Sequence, residues 1–250
     1  MDRFCFSSSP WGFRFFRLDD YCRTLKGIGI DQLCLMAGLD FPQALKGSPD
    51  NAQEYLDIFA ANQVSALETA MILDGSDDDI ALIAAVGSKY LRICEVWENT
   101  PESLKAVSGK LRTLGAKAAD HGLVVVVENH GGLMATSDDC LKLFDAVGLD
   151  NVKLNYDAAN FIHYGGEDAV SAWKKVKDIT AFTHLKSVSE YGFGKGVFCR
   201  IKDGVMGYRA IMQEIIDSDY FGCLCLEYEK PEDVVSGTQD DLNAIKALLK

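Results

Sequence analysis

The feature that most constrains the fold is a regular alternation of short apolar segments with amphipathic helical patterns. The apolar segments, each of strand length, span residues 4–7, 32–36, 64–68, 90–96, 123–129, 152–156, 181–186 and 223–228. Between them, apolar residues recur at helical spacing, as in Leu18, Tyr21, Cys22 and Leu25. Strands that alternate with helices in this way are typical of α/β folds built on a parallel sheet.

The apolar segments also indicate how the sheet is covered. Residues 123–127 read Leu-Val-Val-Val-Val, and such continuous apolar runs belong to parallel strands that are buried on both faces. Eight strand–helix units in 250 residues allow about 31 residues for each unit, which suits a compact (β/α)8 TIM barrel. No Pro/Ser-rich linker divides the chain, so we expect one barrel domain over residues 1–250. A doubly wound open sheet is the competing α/β architecture.

Composition excludes several classes of partner. The chain has 25 Lys and Arg against 37 Asp and Glu, a net charge of −12. Affinity for nucleic acid is carried largely by basic side chains, so we expect no nucleic-acid partner. The same charge argues against an anionic membrane surface, and no apolar run approaches the ~18 residues of a membrane span.

Cysteine usage indicates the compartment. The eight cysteines are spread along the chain without a CxxC pair, which is not the spacing of a small disulfide scaffold. We interpret them as reduced thiols packed as small hydrophobic side chains, and the first 16 residues lack the apolar core of a signal peptide. These features predict a cytoplasmic protein.

Four successive strand ends carry residues that can ligate a metal. The fifth segment ends in Glu128, the sixth in Asp157, the seventh in His184 and the eighth in Glu227. Any one of these acids could simply cap the following helix. In a barrel, however, the four ends converge, and three carboxylates with an imidazole require a cation between them. Mixed O and N ligands predict one divalent ion, with Mn2+ expected first and Mg2+, Co2+ or Zn2+ as alternatives.

Alternation along the strands agrees with this interpretation, with one exception. Glu128 lies on the same face as Val126, and Glu227 on the same face as Cys225. Asp157 shares a face with Lys153, which would direct a lysine into the floor of the barrel.

Four motifs are similar to those of the xylose-isomerase-like barrel superfamily of sugar isomerases and epimerases. They are VVVVENH at 124–130, NYDAANF at 155–161, THLK at 183–186 and LCLEYE at 224–229. Residues 18–35 also resemble the first helix and second strand of that family. The resemblance spans nearly the whole chain and implies the (β/α)8 barrel. It also implies that the metal ligands are Glu128, Asp157, His184 and Glu227, with Glu128 and Glu227 as the catalytic acid/base pair.

Other positions follow the family less closely. Asn160 stands where the family has His or Asn three residues after the metal Asp, and Lys186 matches a frequent lysine. An arginine that some ketohexose epimerases carry after the metal histidine is absent from residues 187–190, which argues against a simple ketohexose substrate. Glu229 shares a strand face with Glu227 and is the alternative last ligand.

The implied reaction is isomerisation or epimerisation of a keto sugar or related hydroxy-carbonyl compound through a cis-enediolate. The alternatives are a dehydratase or lyase acting on a keto sugar, inosose or keto-glycoside, and a non-catalytic sugar-binding barrel. An apurinic endonuclease of the same fold is disfavoured by the acidic charge and the four histidines. Trp11, Trp97 and His130 join Asn160 and Lys186 as candidate substrate-binding residues. The partner is a small sugar molecule, and a homo-oligomer is left open.

Overall fold

Eight parallel strands close into a barrel in the computed structural model, which describes residues 3–250. The barrel strands are β1 (Phe4–Ser8), β2 (Gln32–Met36), β3 (Ser65–Met71), β4 (Tyr90–Ile93), β5 (Val124–Glu128), β6 (Val152–Asp157), β7 (Thr180–Leu185) and β10 (Gly222–Leu226). Around the ring their order is β1-β10-β7-β6-β5-β4-β3-β2, so β1 closes the barrel between β10 and β2. The predicted (β/α)8 TIM barrel is confirmed, and the open sheet is excluded.

The helices lie between the strands in sequence and pack around the barrel. They are α1 (Leu18–Gly27), α2 (Ala52–Asn62), α3 (Asp77–Ala85), α4 (Pro101–Asp120), α5 (Ser137–Val147), α6 (Ala158–Gly165), α7 (Ala169–Val176), α8 (Tyr208–Asp217) and α9 (Val234–Leu248). Helix α4 begins as its sequence predicts: Thr100 Oγ1 accepts a hydrogen bond from the backbone N–H of Ser103 at 3.1 Å, and Pro101 is the first helical residue. An antiparallel hairpin of β8 (Ser187–Val188) and β9 (Phe198–Cys199) is inserted after β7.

The interior of the barrel is divided into a floor and a top. The floor consists of buried, inward-facing side chains, which we call the floor cluster: Cys34, Leu67, Val126, Phe182, Cys223 and Cys225. Charged side chains lie above it, toward the carboxyl ends of the strands. Lys153, which strand alternation directed into the floor, lies near the amino end of β6 and is half-buried.

The eight cysteines lie in the described part of the chain, and all are free thiols. Among residues 3–250, no helix has the length and apolar character that crossing a bilayer requires.

Candidate active site

The polar residues at four strand ends meet at the top of the barrel. Glu128 and Asp157 are the last residues of β5 and β6, His184 lies in β7, and Glu227 directly follows β10. All four are buried, and one potential ligand atom from each lies within 4.8 Å of the others. The structure thus brings together the complete set of predicted metal ligands. Glu229 is not part of this group.

Asp157 caps a helix with one carboxylate oxygen and faces the site with the other. Its Oδ1 accepts hydrogen bonds from the backbone N–H groups of Ala159 and Asn160, which makes it the N-cap of α6. Asn129 holds the end of the strand, because its Oδ1 accepts from Asp157 N at 2.7 Å and its Nδ2 donates to Asp157 O at 2.9 Å. The other carboxylate oxygen, Oδ2, lies 3.2 Å from Lys186 Nζ and faces the site. The capping and ligating interpretations of this residue are therefore compatible.

Glu128 is held by three donors on neighbouring strands and on α6. Arg92 Nη1 donates to its Oε2 at 2.8 Å, and Asn155 Nδ2 donates to the same oxygen at 3.4 Å. Asn160 Nδ2 donates to Oε1 at 3.1 Å. Burial acts to raise the pKa of Glu128, but His184 and Arg92 outweigh it and lower this pKa to about 2. These three donors fix the carboxylate in position.

Glu227 is held from a different set of elements. Ser9 Oγ, just after β1, donates to its Oε1 at 2.7 Å, and Lys186 Nζ donates to its Oε2 at 2.7 Å. Lys186 also donates to Glu229 Oε1 at 2.7 Å, and its ammonium lies 4.4 Å from the centre of the Phe198 ring. Burial opposes ionisation of Glu227, yet His184 and Lys186 keep its pKa well below the ordinary value.

His184 provides the test of whether a metal ion fits. The imidazole is fully buried, and neither ring nitrogen has a hydrogen-bond partner among the described residues. Its Nδ1 lies 3.4 Å from Glu128 Oε2 and 3.3 Å from Glu227 Oε1, outside hydrogen-bonding geometry. Burial disfavours the imidazolium, but the two carboxylates raise the pKa of His184 well above its ordinary value. A cation among these groups would supply the missing partner and the missing positive charge.

The balance of buried charge also favours a bound cation. Among the described residues, buried carboxylates at the top of the barrel outnumber the buried Arg and Lys side chains, which are Arg92 and Lys186. The carboxylates are Glu68, Glu128, Asp157 and Glu227. Burial raises the pKa of Asp157 to about 7 although Lys186 opposes this shift, and the neighbouring carboxylates of Glu227 and Glu128 raise it further. The donor set therefore fits a divalent ion with oxygen and nitrogen ligands.

A second group of potential ligands overlaps the first. Atoms of Cys94, Glu128 and His130 also lie within 4.8 Å of one another, and Cys94 and His130 are only half-buried. A thiol must lose its proton to bind a metal, and burial, with Glu128 next, raises the pKa of Cys94. The all-buried group with three carboxylates is thus the better cation site.

A cavity of about 480 Å³ opens above these groups. Among the predicted substrate-binding residues, Trp11, His130 and Lys186 line it. Trp97 and Asn160 are not among the described residues that line the cavity. Trp97 is half-buried and its Nε1 donates to Glu95 Oε2 at 3.3 Å, while Asn160 acts behind the site by holding Glu128.

Two buried charged residues, Glu68 of β3 and Arg92 of β4, belong to the site and were not predicted. Arg92 Nε donates to Glu68 Oε1 at 2.9 Å, so one guanidinium bridges Glu68 and Glu128. Arg92 interrupts the apolar strand Tyr90-Leu-Arg-Ile, and Glu68 ends the predicted segment 64–68. A charged residue inside or at the end of an apolar strand is the sequence signal that marks both positions.

Residues 55–248 match the family profile described as the xylose isomerase-like TIM barrel. The chain belongs to this family. The family resemblance inferred from the four motifs is therefore confirmed.

Individual relatives are more distant. An inosose dehydratase from Clostridium perfringens is 27% identical over 160 residues, which cover 58% of this chain and 54% of the relative. The chain thus spans about half the length of the curated relatives it matches. A solved structure named IOLI protein with a binding zinc atom has a TM-score of 0.79 at 16% identity, covering 98% of both chains. A D-allulose 3-epimerase from a Methylomonas species has a TM-score of 0.76 at 12% identity, covering 99% of both chains. At these identities the structural likeness shows the fold.

Proposed function

We propose that this chain is a metal-dependent enzyme that moves a proton next to the carbonyl group of a keto sugar or related hydroxy-carbonyl compound. One observation carries the proposal: a buried imidazole without partners among the described residues lies between buried carboxylates. Glu128, Asp157, His184 and Glu227 would hold the ion. When bound, a divalent ion polarises a carbonyl group and lowers the pKa of the adjacent C–H.

Glu128 and Glu227 are the residues that we assign to proton transfer. β5 and β10 are separated in the ring by β6 and β7, so the two carboxyl groups approach the cavity from different sides. One carboxylate would take the proton from the carbon next to the carbonyl group, which leaves an enediolate. The second carboxyl group would then deliver a proton, either to the opposite face of the same carbon or to the neighbouring carbon. Return to the opposite face of the same carbon is epimerisation, and return to the neighbouring carbon is isomerisation.

Substrate binding is assigned to the lining residues Trp11, His130 and Lys186. Lys186 is 2% exposed and contacts both Glu227 and Glu229, so its ammonium is fixed beside the cavity for a substrate oxygen. Asn160 is given a positioning role, because it donates to Glu128. Mn2+ remains the first expectation for the ion, and the zinc named for one structural neighbour supports testing Zn2+ beside it. The free thiols support a cytoplasmic location.

Dehydration of an inosose or keto sugar is the second candidate function, and the names of the curated relatives favour it. Removal of the same proton followed by loss of a β-hydroxyl group would give this outcome. The leaving oxygen then needs a proton donor. Among the residues that line the cavity, His130, Tyr164 and Lys186 carry protons that could serve.

The experiment is proton exchange in D2O, followed by NMR, with the Mn2+-loaded protein. The panel contains ketoses, inososes, 3-keto-glycosides and hydroxypyruvate. We expect deuterium at the carbon next to the carbonyl of at least one compound, with exchange lost on metal removal. A dehydrated product would select the second candidate. Metal-loaded protein that labels no compound in the panel would contradict the proposal.

A further inference from the structure

One side of the cavity is apolar. Six of the residues that line this side form what we call the apolar wall: Trp11, Met36, Leu39, Ala70, Met71 and Ile72. They come from the loop after β1 and from the carboxyl ends of β2 and β3 together with the residues that follow. Within residues 3–250, these two strands and their following loops contribute no charged side chain to the lining.

The order of strands places this wall opposite the metal-ligating side. In the ring β1-β10-β7-β6-β5-β4-β3-β2, β2 lies diametrically across from β6, and β3 across from β7. β6 ends in Asp157, and β7 carries His184. Of the four candidate ligands, Glu128 and Glu227 line the cavity itself. A ring-shaped substrate whose oxygens approach an ion held by the four residues would direct its far substituent toward the apolar wall.

The wall is supported from behind and open in front. The Trp11 ring packs edge-on against Phe41 with centroids 5.9 Å apart, and Met36 and Ala70 pack with Ala44. Trp11 nevertheless remains 43% exposed and Ile72 47% exposed. An apolar surface that is held in place and continuous with a polar site is the usual construction of a ligand pocket.

We propose that the substrate carries an apolar substituent, such as an aromatic group, on the side opposite its hydroxy-carbonyl unit. This inference rests on the proposed function and specifies its substrate class. A sugar with hydroxyl groups on all sides would lose water at the wall without gaining hydrogen bonds, which costs free energy. An aromatic substituent would bury apolar area against Trp11 and Ile72 and gain free energy instead.

The test measures binding of matched probes by isothermal titration calorimetry to the full chain loaded with Mn2+. The probes are the methyl and phenyl β-glycosides of 3-keto-glucose. We expect the phenyl compound to bind at least about tenfold more tightly. Ile72→Asn should remove most of this advantage and leave the methyl compound unchanged. Val205→Asn is the matched control, since Val205 is 50% exposed and, among the described residues, is not one that lines the cavity.

A third probe, phenyl β-glucoside without the ketone, separates the two proposals. If both keto compounds bind equally and more tightly than this glucoside, the apolar-substituent proposal is overturned and the proposed function stands. If the glucoside binds as tightly as its keto form and Ile72→Asn weakens both, the wall binds as inferred and the proposed function fails. Absence of binding by all three probes would count against the apolar-substituent proposal.

Discussion

The floor and the top of the barrel are built by the same strands and have opposite chemistry. Val126 belongs to the floor cluster, and Glu128, two residues later, is a candidate ligand. Phe182 and His184 form the same pair on β7, with ring centroids 6.0 Å apart. The floor excludes water from beneath the charged groups, which strengthens their interactions and makes unpaired charge costly. We infer that the floor contributes mainly to stability and the top mainly to chemistry.

Phe182→Ala tests the floor and should have the largest effect in free energy. Removing this fully buried ring should lower the free energy of unfolding by about 3–5 kcal/mol, because a cavity remains where apolar contacts were lost. Urea denaturation measures it. Phe193→Ala is the control, since Phe193 is 74% exposed and its loss should change stability by less than about 0.5 kcal/mol. A Phe182→Ala variant of normal stability that no longer binds metal would break the division between floor and top.

Glu128→Gln and Glu227→Gln test the top. Each should lower kcat by at least about a hundredfold, within the range of a positioned acid or base, because Gln keeps an oxygen for the metal but cannot carry the proton. Steady-state kinetics with metal analysis checks this, with the exposed Glu232→Gln as control. Complete rescue by excess metal would show that the glutamates are ligands only. The proton carrier would then be sought among Glu229, Lys186 and His130.

Asp157→Asn should behave differently from the glutamate variants. Asn is an N-cap of similar quality, so α6 should be retained, while loss of the charge should weaken metal binding at least about tenfold. Titration with Mn2+ measures the affinity, and excess Mn2+ should restore part of the activity. Unchanged Mn2+ affinity would remove Asp157 from the ligand set and leave it as a helix cap.

Glu68→Gln should have the smallest effect on catalysis. Gln keeps an acceptor for Arg92 Nε, so Arg92 should still hold Glu128, and kcat should fall by less than about tenfold. Because Arg92 keeps its ion pair with Glu128 and a hydrogen bond to the new amide oxygen, no buried charge is left unpaired, and the urea midpoint should change little. Measuring kcat, KM and the urea midpoint together separates these effects. A loss of kcat as large as that of Glu128→Gln would assign Glu68 a direct role in the reaction.

Much of the fold follows from local pattern. The eight apolar segments match the eight barrel strands, with differences only at their ends, as where β3 continues past Glu68 to Met71. Thr100 and Pro101 mark the start of α4 because capping depends on neighbouring residues. Strand ends are equally local, so Glu128 and Asp157 could be identified as candidates before their surroundings were known.

Other features could not be derived in this way. Arg92 interacts with Glu68 and Glu128 across three adjacent strands, and Trp97 lies near a strand end yet outside the cavity lining formed by the described residues. A side chain's partners depend on strand register and on loop path, and neither is encoded in the periodicity of a single strand. The same limit applies to Asn160, which a family position suggested for substrate but which the structure places behind Glu128.

The sequence by itself determined the alternation of strands and helices and the acids and histidine at the strand ends, because both depend on residues close together in the chain. Only the tertiary structure decided which atoms meet. Closure of β1 between β10 and β2 brings Ser9 to Glu227 and sets the apolar ends of β2 and β3 opposite Asp157 and His184. These are contacts between segments far apart in sequence, and their geometry exists only once the ring of strands has closed.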